Sequence, residues 1–177
     1  MRLIEGVVLG AAAGEAGTTA LNAVTYLDMA ARGRPTSTTP EDTVEELSHK
    51  TRSSIPGDGD TRKNRVAGLG PLSGLAAGVG AGAVLRAARA WGWRPGLIPS
   101  AIVATVGALV ASNGPMTALG ISDPRTWAAK DWVSDIVPHL AYGMVTAATL
   151  NRLELAHPTA NLALLRTRLT NRTLRPG

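Results

Sequence analysis

The residues with most chemical potential lie in "DWVSDIVPHLAYG", residues 131–143. Asp131, Asp135 and His139 recur every fourth position, which stacks them on one face of a helix. Tyr142 and Gly143 continue that face, and Pro138 sits beside the histidine. A carboxylate and an imidazole one turn apart can hold a proton, an ion or a polar ligand. In water such a stripe is an ordinary solvated edge. In a membrane, where a buried ionisable group costs at least ~2.5–3.5 kcal/mol, it needs partners or a task.

A second set lies near the N-terminus. Thr18, Thr19, Asn22 and Tyr26 follow Glu15 at three, four, seven and eleven residues, so all project from one side of a helix. Gly6, Gly10 and Gly14 repeat on the adjacent side. The expected arrangement sets this glycine edge against a neighbour and turns Glu15, Asn22 and Tyr26 to the interior, near Asp135, His139 and Tyr142. Three readings follow: a polar clasp joining two helices, a ligand, proton or ion site, and a metal site built from Glu15, Asp135 and His139. The metal reading lacks any HExxH-type motif, so no metal or other cofactor is expected. Ser112 and Ser134 have no nucleophile-elbow context, so no enzyme activity is expected either.

The surrounding segments decide between water and lipid. The chain has 177 residues, which suggests one domain, with Phe 0, Tyr 2, Trp 4 and Gly 20. Aromatic rings usually supply much of a water-soluble core, so their scarcity argues for another kind of packing. Four segments approach the ~20 apolar residues that cross a bilayer, at about 3–28, 66–88, 97–116 and 132–153. The first opens like a signal peptide, but its apolar run passes beyond the cleavage-like "AAA" at 11–13, and it reads as a retained helix. In the second, Gly70, Gly74, Gly78 and Gly82 form an every-fourth series. Each glycine would weaken a helix in water by about 1 kcal/mol, but in a bilayer small residues let helices approach closely. Pro138 should kink the fourth segment by freeing the Ser134 carbonyl.

Polar segments complete the layout. Residues 32–65 connect the first two spans, and "TTPEDTVEELSHKTR" within them predicts a short surface helix capped by Thr39. Residues 119–131 predict an interfacial helix capped by Ser122 or Asp123, with Trp127 and Trp132 at headgroup level. Residues 158–175 predict a basic amphipathic helix, with Leu162, Leu165 and Leu169 opposite Arg166, Arg168 and Arg172. The net charge of +5 comes from basic residues clustered at the ends of apolar runs, which with so few stacking rings argues against nucleic acid. With four spans, nine basic residues fall on each side, and orientation stays undetermined. The absence of cysteine excludes disulfides and thiolate chemistry.

The stretches "GEAGTTALNAVTYLDMAARGRPTSTTPE" (14–41) and "VPHLAYGMVTAA" (137–148) resemble segments of small multi-pass membrane proteins of actinobacteria. In layout the chain is similar to YagU-like inner-membrane proteins. The resemblance implies a four-helix protein of the bacterial inner membrane, and carries no activity and no functional residues with it.

The expected architecture is therefore all-α: a single transmembrane four-helix bundle, 1–177, with glycine-zipper packing, in contact with lipid. Two roles remain open for it. One is binding or transport of a small ligand or ion with proton coupling at the polar site. The other is a structural or accessory subunit that assembles, with itself or a larger membrane complex, through its glycine faces.

Overall fold

The computed structural model describes residues 2–156, with side chains from Ile4 onwards. The amphipathic helix expected at 158–175 lies outside the described residues. Five α-helices form: α1 (Arg2–Arg32), α2 (Thr39–Thr51), α3 (Gly59–Ala90), α4 (Leu97–Ala118) and α5 (Ala129–Ala156), with a 3-10 turn at Pro124–Thr126. α1, α3, α4 and α5 make an up-down-up-down bundle in which α1 touches α3 and α5, and α4 touches α5 and α3. α2 lies against the N-terminal part of α3, where Arg62 pairs with Glu45.

The four long helices coincide with the four apolar segments of the sequence. Among the described helices, however, only α3 and α4 are long and apolar enough to cross a membrane. α1 and α5 are less apolar because Glu15 and Asn22, and Asp135 and His139, interrupt their runs.

Glycine sets the packing. A methyl group at Gly10 would lie 2.7 Å from the Gly82 carbonyl oxygen and 2.8 Å from the Ala83 Cα. One at Gly14 would lie 2.5 Å from the Gly78 carbonyl. The backbones of α1 and α3 therefore meet with no side chain between them. The same device recurs at Gly17, which Thr146 and Tyr142 of α5 approach, and at Gly143, which Thr105 and Ala101 of α4 approach. Ala13, Ala101, Ala104, Ala108 and Ala147 fill much of the remaining core, and Tyr142 and Leu150 are its largest fully buried side chains.

Two local expectations change. α2 starts at Thr39, the residue predicted as its cap, so the N-cap position falls one residue earlier at Thr38, which makes no side-chain capping bond. The interfacial helix predicted at 119–131 shrinks to the single turn Pro124–Thr126, held by Asp123 accepting from the Arg125 N–H at 3.0 Å. Asp131 explains why: its carboxylate accepts from the Ala128 N–H at 3.0 Å, reaching back over the first turn of α5 and starting a new helix there. Trp127 and Trp132 pack edge to face, with ring centroids 5.1 Å apart.

The glycine series on α3 is not used uniformly. Gly70, Gly78 and Gly82 are buried, Gly70 beneath Glu41 of α2, whereas Gly74 is exposed and faces open space. Replacing Gly82 with Val should therefore destabilise the bundle by about 1–3 kcal/mol through overpacking. Gly74→Val should leave thermal unfolding in detergent nearly unchanged. Equal shifts in both variants would contradict the α1–α3 contact.

Candidate functional site

The polar stripe of α5 meets α4. Asp135 and His139, one turn apart, face Ser112 and Asn113. The Asn113 amide donates to Asp135 Oδ2 at 2.8 Å. His139 Nδ1 lies 2.7 Å from the Asp135 backbone carbonyl and 3.4 Å from its Oδ1. A carbonyl oxygen only accepts, so Nδ1 carries a hydrogen. His139 Nε2 lies 3.1 Å from Ser112 Oγ.

Ser112 gives this chain two states. Its Oγ is also 3.0 Å from the Ala108 carbonyl. When His139 is neutral, the Ser112 hydroxyl donates to Nε2. When His139 is protonated, Nε2–H donates to Ser112 Oγ and the hydroxyl turns to the Ala108 carbonyl. No heavy atom need move, no hydrogen-bonding group loses a partner, and Asp135 stands beside the imidazolium. His139 is 8% exposed, so an unpaired ring nitrogen there would carry a desolvation penalty of about 1–3 kcal/mol.

The order Ser–His–Asp matches a hydrolytic triad, but the setting differs. Ser112 lies within α4, between Ala111 and Asn113, where helical hydrogen bonding occupies the backbone N–H groups that could stabilise an oxyanion. The arrangement offers hydrogen-bond partners to both forms of the imidazole ring. Beside it, an open groove of about 520 Å³ is lined by Val106, Val110, Asn113, Thr117 and Trp132 among others. Asn113 belongs to both groove and polar chain.

Three expected site residues lie elsewhere. Glu15, Asn22 and Tyr26 are exposed on the outer side of α1. The inner edge of α1 is Gly6, Gly10, Gly14, Gly17 and Thr18, because backbones in contact leave no volume for a glutamate side chain. Glu15 therefore does not approach Asp135 and His139, which lie beside each other and meet Ser112 and Asn113 of α4. Among the described residues, no three His, Asp or Glu side chains come together as a metal-binding group. Tyr142 is buried, and its hydroxyl donates to the Gly78 carbonyl at 2.6 Å, tying α5 to α3 across the bundle.

The sequence reasoning missed a charged cluster at the opposite end. Arg86 and Arg89 are 4% and 2% exposed, not at a helix end in solvent. Glu154 lies 3.2 Å from Arg86 Nε and 3.1 Å from Arg89 Nη1. Arg89 also donates to Asn151 Oδ1 at 2.6 Å and to Ser100 Oγ at 2.8 Å. Gly6 leaves room for the Arg86 guanidinium, so all four long helices meet here. A signal was present: Arg86 is the next step after Gly78 and Gly82 in the every-fourth series.

Together these features define, over the described residues, an all-α helical bundle with two helices long and apolar enough to cross a membrane and cross-helix polar groups at both ends. In comparisons with family models, curated proteins and solved structures, none matches the chain.

Removing one partner of a buried ion pair is far costlier than the net worth of the pair, because the other charge stays desolvated. Glu154→Ala should cost about 3–5 kcal/mol in unfolding experiments. Asp60→Ala, at an exposed carboxylate 3.9 Å from Lys63, should cost under about 1 kcal/mol. A small effect at Glu154 would contradict the buried cluster.

Proposed function

We propose that this chain is an integral membrane protein of four spans whose α4–α5 polar chain takes up a proton and couples it to a small ligand or ion in the adjoining groove. The outer faces support the membrane setting. Only 22% and 28% of the apolar windows of α3 and α4 are buried within the bundle, whereas a soluble protein's core helix is mostly buried. Leu69, Leu72, Val84, Ile102 and Val103 point outward on these two helices, and Val137, Leu140 and Met144 do so on α5. An apolar surface of that extent calls for lipid or a partner.

The observation that carries the functional reading is the double provision for His139. A clasp needs only one hydrogen-bonding state. Here both ring nitrogens have partners, and Ser112 has a second acceptor for its proton. Asn113 links Asp135 to the groove, so a group that takes the Asn113 amide removes a hydrogen bond from the carboxylate beside His139.

Assembly on another protein through the glycine faces has less support. Gly10, Gly14, Gly70, Gly78 and Gly82 are already in close contact within the chain, and Gly6 lies against Arg86.

The test is nitrogen NMR of histidine-labelled protein in nanodiscs, with His139 assigned through His139→Gln. On acidification the His139 ring should gain its proton while the amide spectrum stays folded. Ser112→Ala removes the Nε2 partner of both forms and should weaken the acid form more, because the hydrogen bond lost there is charge-assisted. Ring protonation that coincides with unfolding would overturn the proposal.

A further inference from the structure

The outward stripe of α1 is unexplained by the bundle itself. Glu15, Thr19, Asn22 and Tyr26 are exposed, Tyr26 by 60%. Thr19 donates to the Glu15 backbone carbonyl, but among the described residues nothing hydrogen-bonds the Glu15 carboxylate or the Asn22 amide. In water this would be a solvated face. The inference therefore rests on the membrane reading, under which a carboxylate halfway along a lipid-facing helix is costly without a partner.

We infer that this stripe is the contact between two copies of the chain inserted with opposite orientations. The stripe is complementary to itself only when antiparallel. A two-fold axis midway between Glu15 and Asn22 sets each Glu15 opposite the partner's Asn22, an acceptor facing an amide donor, twice over. Thr19 then lies next to the partner's Thr19, and Tyr26 lies over the small side chains of the partner's Ala11 and the partner's Ala12. A parallel pair would instead oppose Glu15 to the partner's Glu15.

Depth agrees with this geometry. Antiparallel copies stay level in one bilayer only if the axis crosses near the middle of the helix. The midpoint of Glu15 and Asn22 falls between residues 18 and 19, and the middle of Arg2–Arg32 is Gly17, an offset of roughly 2 Å at 1.5 Å per residue.

Charge permits both insertions. By sequence position the basic residues divide nine and nine. Arg86 and Arg89 are withdrawn into the bundle, which leaves seven on the side of the termini and nine on the side of the 32–65 connection. So small a bias does not impose one orientation.

The chain has no cysteine, so single-cysteine variants of the full-length protein in cell membranes are direct probes. Oxidation should link Thr19→Cys into a dimer, and should link Glu15→Cys to Asn22→Cys when the two variants are co-expressed. A membrane-impermeant maleimide should label Ser37→Cys, in the 32–65 connection, to about half from each side. Glu15→Leu should weaken the dimer about tenfold, as expected for two interhelical hydrogen bonds. Dominant self-linking of Glu15→Cys, labelling of Ser37→Cys from one side only, or a chain that stays in the membrane without linking at Thr19 would each overturn the inference. Release of the chain by alkaline carbonate would instead overturn the membrane reading beneath it.

Discussion

Where Gly10 and Gly14 meet Gly78 and Gly82, two helix backbones touch, and the rest of the bundle is arranged around that contact. No side chain larger than hydrogen fits there. The contact decides which edge of α1 faces inward and sends Glu15, Asn22 and Tyr26 outward on the other side. It also brings Gly17 up to Tyr142 and Thr146 of α5, so that the Tyr142 hydroxyl reaches the Gly78 carbonyl. Close approach of this kind is enriched where helices associate without a hydrophobic driving force between them.

Most of the charged and amide-bearing interior groups are tied to a different helix. At one end Asp135 and His139 of α5 engage Asn113 and Ser112 of α4. At the other, Glu154 and Asn151 of α5 engage Arg86 and Arg89 of α3, and Ser100 of α4 joins them. Outside the core, Asp28 holds Arg34 at 2.6 Å and Arg32 at 2.7 Å, and Arg32 donates to Ser134 Oγ at 2.6 Å, linking the end of α1 to the start of α5. The two ends differ in character. The arginine cluster gains nothing from gaining or losing a proton, whereas the histidine chain has a hydrogen-bonding pattern for each state.

Much of the architecture was legible because it follows from local pattern. Apolar runs interrupted by Gly, Pro and charge mark the four long helices, and the every-fourth glycines mark close packing. The inward face of α1 was not legible. Glu15 and Gly14 lie on adjacent sides of one helix, and which turns inward depends on the volume available against α3, a quantity no single segment encodes. For the same reason His139 was identified but not its partners, since Ser112 and Asn113 sit in a charge-free run with nothing local to distinguish them. Arg86 and Arg89 read as the basic end of a span because sequence distance hides Glu154, more than sixty residues away.

The most direct measurement concerns the outer face of α4, where Val103 is exposed and Ala104 is buried. Spin labels placed singly at these two positions in liposomes can be relaxed by oxygen, which concentrates in lipid, or by a water-soluble nickel chelate. The account predicts strong relaxation by oxygen and little by nickel at position 103, and weak relaxation by either at position 104. Strong nickel relaxation at position 103 would place that face in water and contradict a membrane-embedded bundle.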